Sequence, residues 1–134
     1  VKKRQARKVV FSALYATLIT GAPTEVTALS ELVADSEDID LDYARTLIMT
    51  YEANQAVINT RIAEFSKHSK RTGNTDVERA ILQMAVAEMI AGDVDDRIVI
   101  NEAIEITKEY GADDAYKFIN AVLDKIANAM RGGV

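Results

Sequence analysis

Apolar residues recur along this chain at spacings of three and four, and almost nothing interrupts that period. Val99, Ala103, Ile106 and Tyr110 repeat it on one segment, and Ile119, Val122, Leu123, Ile126 and Met130 on another. A half-buried strand turns every second residue inward, so this spacing reads as helix rather than sheet. The chain has 134 residues with one Pro and six Gly, so helix breakers can act only as punctuation. An all-α fold is expected. No internal repeat, low-complexity segment or long linker divides the chain, which implies a single helical domain over residues 1–134 with a core of its own.

The punctuation predicts six helices. The first runs from about Lys3 to Thr20 and stops at Gly21, with Pro23 just beyond, the pattern of a left-handed cap followed by a residue that cannot continue the helix. A short helix covers Thr24 to about Ala34, and the acidic segment from Asp35 reads as a loop. Asp40 can cap a long third helix that ends near Ser66, with Leu47, Ile48, Tyr51, Ile58 and Ile62 facing inward. Thr75-Asp76-Val77-Glu78 matches a capping box, in which the Thr hydroxyl and the Glu carboxylate each satisfy an amide of the first turn, and Ala80 to Ala91 follow until Gly92. A fifth helix from about Arg97 to Tyr110 ends at Gly111, and Asp113 begins the sixth.

Composition excludes more than it identifies. Hydrophobic residues make up 49% and charged residues 28%, and no apolar run approaches the roughly 20 residues that a spanning helix requires. Lys2, Lys3 and Arg4 are not followed by the apolar segment and small cleavage-site residues of a secretory signal, so a cytoplasmic location is expected. Without cysteine there is no disulfide, thiolate metal site or thiol nucleophile. His68 is the only histidine, which rules out a two-histidine metal site within one chain. Glu102, Glu105 and Glu109 form an acidic row, and Glu64 with His68 a second pair, but the repeated Glu-x-x-His of a bundle di-iron centre is missing, and the row reads as a solvated face. There is no Gly-rich phosphate loop either. No metal or cofactor is expected, and no catalytic constellation that would make the protein an enzyme.

Charge is distributed unevenly around a formal total of −5. Five cations stand in the first eight residues. Residues 22–60 carry a balance of −7, and residues 61–73 return to +3 through Arg61, Lys67, Lys70 and Arg71 against Glu64. On the first helix, Arg4, Lys8, Phe11 and Tyr15 fall within an arc of about 60° at 100° per residue, with Arg7 at its margin and Lys3 before it. Cations there could hold phosphates while an aromatic face stacks a single-stranded base. The plainer reading is a solvated helix start with Phe11 in the core. Cations at a helix N-terminus oppose its dipole by a few tenths of a kcal/mol, which hints at function without requiring it. The segment Lys67 to Arg71 could extend a basic surface or simply solubilise a loop. At the start of the last helix, Asp113 and Asp114 suit the dipole, whereas Lys117 and Phe118 leave two readings open, a binding face or a buried ring.

Four motifs in fixed order resemble the NusB family. They are the Arg/Lys-rich opening followed by Ala13-Leu14-Tyr15, then Val77-Glu78-Arg79-Ala80-Ile81-Leu82, then Ile100-Asn101-Glu102-Ala103-Ile104-Glu105, and finally Lys117-Phe118-Ile119-Asn120-Ala121-Val122-Leu123-Asp124-Lys125. The resemblance covers roughly residues 3–20, 75–90 and 94–127, and Gln83 departs from it where relatives often carry a basic residue. It implies a NusB-like fold of six to seven helices, in which two three-helix bundles pack across one another. It also implies a non-catalytic transcription antitermination factor. Such a factor binds boxA-like single-stranded leader RNA of rRNA operons together with a small-subunit ribosomal protein acting as NusE, in the RNA polymerase elongation complex. By the same resemblance, Lys3, Arg4, Arg7 and Lys8 would hold the RNA backbone, and Lys117 and Phe118 would add a charge and a stacking face. Tyr15, Glu78 and Asp114 match positions at or near the partner surfaces, while Asn101, Glu102 and Asn120 fit caps and buried hydrogen bonds. Some members of the family dimerise, so a homodimer is a further expectation.

Two other classes are weighed beside this one. A NusB-like protein interaction module that has lost RNA binding would have no need for five cations in its first eight residues. A free-standing enzyme would need an acid–base pair, a nucleophile or a metal set, none of which is evident.

Overall fold

A computed structural model describes residues 2–22, 38–67 and 75–132. Among them are six helices: α1 (Lys2–Thr20), α2 (Leu41–Ala53), α3 (Gln55–Ser66), α4 (Asp76–Ala91), α5 (Asp96–Tyr110) and α6 (Ala115–Met130). The expected helix over Thr24 to Ala34 lies outside the described residues, as does His68.

The caps explain most of the boundaries. Asp40 accepts the Tyr43 amide at 3.0 Å, Thr75 Oγ1 accepts the Glu78 amide at 3.2 Å, and Asp95 accepts the Arg97 amide at 2.9 Å. Each satisfies one of the orphan donors of a first helical turn. Gly92 closes α4 in the left-handed region at φ 77°, returning its N–H to the Glu88 carbonyl, where any other residue would carry its Cβ against the backbone. The sixth helix begins at Ala115, two residues later than Asp113 suggests, with Asp114 at the N-cap.

One expectation is corrected. The long helix from Asp40 to Ser66 is two helices, broken at Asn54. The Asn54 side-chain amide donates to the Thr50 carbonyl at 2.8 Å, occupying the acceptor that its own backbone N–H would take in a continuous helix. That N–H turns instead to Tyr51 O at 3.1 Å. An Asn side chain competing with its backbone is enough to break a helix whose two halves have different packing partners. The two halves do part ways: α2 packs on α1 and α4, whereas α3 packs on α4 and α6.

Helix α4 organises the whole. Every residue from Ala80 to Met89 is buried, the signature of a helix enclosed on all sides. Its alanines at 80, 85 and 87 let neighbours approach closely. Helices α1 and α2 pack on each other and on α4, α5 and α6 do the same, and α3 bridges α4 and α6. Leu14, Leu47, Ile48, Ile81, Leu82, Met84, Ile106, Ile119 and Leu123 fill the space between them. Gln83 belongs to this interior: it donates to Asn59, which donates in turn to the Tyr51 hydroxyl. At the far end Arg131 ties the start of α5 to the end of α4, forking onto Asp96 at 2.8 and 2.9 Å and reaching the Met89 carbonyl at 3.1 Å. No described helix is long and apolar enough to cross a membrane.

Candidate nucleic-acid interface

The cationic opening of α1 is sorted by depth. Lys3 and Arg4 are exposed, Lys8 is half-buried, and Arg7 is only 4% exposed. The Arg7 guanidinium forks onto the Glu88 carboxylate of α4, with Nε and Nη2 at 2.7 to 3.0 Å from its oxygens. The Tyr43 hydroxyl donates to the same carboxylate, and the Tyr43 ring lies 5.8 Å below the guanidinium. Burial works against the Arg7 charge, but the Glu88 hydrogen bonds and charge outweigh it and hold its pKa above the ordinary value. Burial, with the Glu88 carboxylate as its acceptor, also pushes the Tyr43 phenol up. Arg7 therefore joins α1, α2 and α4 from within, and a phosphate at this position would have to compete with Glu88. Pulling the Arg7 guanidinium away from Glu88 would strand that carboxylate in the interior.

Arg4 and Lys8 remain at the surface, each against a glutamate of α5. Arg4 forks onto Glu102 at 2.8 and 2.9 Å, and its hydrogen bond holds the Glu102 carboxyl below the usual range. Lys8 Nζ lies 2.9 Å from Glu109, whose carboxyl is likewise lowered by that contact. Glu102 also lies 3.8 Å from Arg7, so the expectation that it serves structure fits its place between the two arginines. Asn101 and Asn120, grouped with it as caps or buried hydrogen bonds, are exposed instead.

The aromatics beside this strip are redistributed. Phe11 is buried, with its ring 6.2 Å from that of Tyr15 and 5.3 Å from that of Tyr110. Tyr15 is half-buried, whereas Tyr110 at the end of α5 is 48% exposed. Phe118 is in the core at 9% exposure: its position beside Ile119 and Val122 on the inward stripe of α6 matches the buried-ring reading and leaves only the ring's edge toward the surface where a base would stack. Lys117 is exposed, with Nζ 6.0 Å from the Tyr116 ring, and Lys108 of α5 stands 5.1 Å from the same ring. The sequence places Tyr110 at the end of an apolar stripe and gives no binding role to Tyr110, Tyr116 or Lys108. The position of Tyr110 at the end of that stripe, next to Gly111, was the available signal.

Two of the residues matched to partner surfaces differ in depth. Glu78 is buried, and its carboxylate accepts the Thr75 hydroxyl at 2.8 Å. It closes the first turn of α4, and its carboxylate is set back from the surface at which a partner would dock. Asp114 is exposed at the head of α6. Among the described residues no group of His, Asp or Glu is arranged to hold a metal ion.

Comparison with known proteins agrees with this architecture. The model of the NusB family matches residues 4–128. The transcription antitermination protein NusB of Yersinia pestis (strain Pestoides F) is 38% identical over 134 aligned positions, which cover 96% of this chain and 94% of that protein. Among solved structures, T. maritima NusB superposes with a TM-score of 0.80 at 29% identity, covering 96% of this chain and 93% of the other. A chain from the crystal structure of the antitermination factors NusB and NusE in complex with double-stranded RNA superposes with a TM-score of 0.78 at 25% identity, covering 94% and 96%.

Proposed function

This chain belongs to the NusB family, and from that premise we propose that it is a non-catalytic transcription antitermination factor that binds boxA-like leader RNA of rRNA operons together with a NusE-type ribosomal protein in the RNA polymerase elongation complex. The observation that carries the reading is the likeness, over nearly the full length of both chains, to a structure in which antitermination factors NusB and NusE are held with RNA.

The candidate RNA face consists of Lys3, Arg4, Lys8 and Lys117, with the half-buried Tyr15, the exposed Tyr110, and Tyr116 beside Lys117 and Lys108. Exposed cations next to aromatic rings suit single-stranded RNA, whose phosphates need charge and whose unstacked bases need a π surface. Asp114 is retained as a candidate contact for the ribosomal protein, since an exposed carboxylate suits a basic partner. The intact surface cations favour this reading over an interaction module that has lost RNA binding. The location is the compartment where transcription proceeds, the cytoplasm.

In vitro transcription through a terminator placed downstream of a boxA-bearing leader tests the proposal. Read-through should rise when the chain and its ribosomal partner are added together, and should not rise on a leader with scrambled boxA. Equal read-through on both templates would reject it.

A further inference from the structure

Glu102, Glu105 and Glu109 recur at i, i+3 and i+7 on α5, and the proposed function has no use for them. Two of them engage the cations assigned to RNA: Arg4 meets Glu102 through two hydrogen bonds, and Lys8 meets Glu109 at 2.9 Å. Arg7 is neutralised deeper down by Glu88. Glu105 stands between them, adding to the negative field at Arg4 and approaching Lys108, a further cation beside the tyrosines, at 3.9 Å. Arg4 and Lys8 lie four residues apart on α1, and their glutamates seven apart on α5. Side chains therefore converge from two helices to form a row of carboxylates along the row of cations.

We propose that Glu102, Glu105 and Glu109 are determinants of RNA affinity: Glu102 and Glu109 occupy Arg4 and Lys8 of α1, Glu105 adds to the field between them, and RNA must displace the first two in order to reach these cations. The inference rests on the RNA-binding reading above. A carboxylate and a phosphodiester offer a cation the same thing, anionic oxygens, so each competes for the same guanidinium or ammonium. The pairs at Arg4 and Lys8 are substantially exposed, with half of Arg4 and half of Glu109 in solvent, and exposed pairs are weak. The row therefore sets a threshold and does not lock the site. Part of the charge attraction at Arg4 and Lys8 is spent inside the protein, so base stacking or a bound partner helps an RNA to win these two cations. This accounts for a basic strip in which Arg4 and Lys8 are already matched by acids.

Glu109 gives the cleanest test, because it is half-exposed and meets Lys8 and its helix neighbour Tyr110 among the described residues, whereas Glu102 also faces buried Arg7. Fluorescence anisotropy of a boxA-like RNA and of a scrambled single strand would be compared for wild type, Glu109→Gln and Glu64→Gln. The last removes the same unit of charge from α3, which controls for the overall field. Glu109→Gln should tighten both RNAs about two- to fivefold at low salt, the change that release of one exposed ion pair carries. Its log K against log salt should steepen by up to about 0.7, the slope of one further phosphate neutralised on a single strand. Glu64→Gln should leave both RNAs unchanged. If wild type selects the boxA-like RNA and Glu109→Gln behaves like Glu64→Gln, the inference fails while the function stands. If neither wild type nor Glu109→Gln binds either RNA, the function and the inference fail together.

Discussion

Arg7 on α1 and Glu88 on α4, 81 residues apart in the chain, face each other in the interior with 2.7 Å between their nearest atoms, and Tyr43 of α2 closes over both. Three helices meet at one buried charge pair. Removing either partner strands the other charge, so Arg7→Ala or Glu88→Ala should destabilise the fold by about 3–5 kcal/mol. Replacing both with apolar residues of similar volume, Arg7→Met with Glu88→Leu, should lose less than either single change. Urea unfolding of the three variants measures this.

Tyr43 makes stability depend on alkaline pH. Burial, and the hydrogen bond to Glu88, raise its pKa in the folded protein, while the unfolded chain releases the same proton near the ordinary phenol value of about 10. Above that pH the unfolded state binds fewer protons than the folded one, so stability that is complete below pH 10 declines as pH rises beyond it. Unfolding free energies measured from pH 8 to 11 should fall for wild type and stay flatter for Tyr43→Phe. The variant should itself be weaker at neutral pH by about 1.5–3 kcal/mol, the usual value of a hydrogen bond to a charged group.

Gly111 ends α5 for a reason of space. A Cβ there would stand 2.9 Å from the Thr107 carbonyl oxygen and 3.2 Å from its methyl group, and that carbonyl already accepts the Gly111 amide at 2.7 Å. Gly111→Ala should destabilise by about 1–3 kcal/mol through this overpacking. A thermal midpoint unchanged from wild type would show that the turn can open without loss.

Phe118 and Tyr110 should separate stability from binding. Phe118→Ala removes a buried ring and should lower stability by about 3–5 kcal/mol, with RNA affinity retained by the folded fraction. Tyr110→Ala removes an exposed ring that lies 5.3 Å from that of Phe11. It should weaken RNA binding by about 1–3 kcal/mol if one base stacks there, with a smaller loss of stability. Paired denaturation and anisotropy measurements on the two variants decide between these roles.

Much of the helical scheme was legible because its signals are local. Thr75, Asp40 and Gly92 act within one turn, and each does in the structure what its position implies. The break at Asn54 was not, since it depends on an Asn side chain winning the Thr50 carbonyl and on different packing partners for the two halves. At the candidate interface, the angular strip on α1 correctly joined Arg4 and Lys8 at the surface, but helical geometry alone could not tell Arg7 from its neighbours. Arg7 is buried because Glu88 waits opposite it, a relation across 81 residues. Tyr110, the last member of an inward stripe, is exposed for the same reason: burial is decided by what packs opposite, and sequence spacing records only which face a residue occupies.

The central claim is selective RNA binding assisted by a ribosomal protein. Its most direct test is the anisotropy of a labelled boxA-like RNA and of its scrambled control, titrated at two salt concentrations with and without the cognate NusE-type protein. The account predicts tighter binding of the boxA-like RNA, further tightening with the partner, and loss of affinity with added salt as phosphate contacts are screened. Equal affinity for both RNAs, indifferent to the partner, would contradict it.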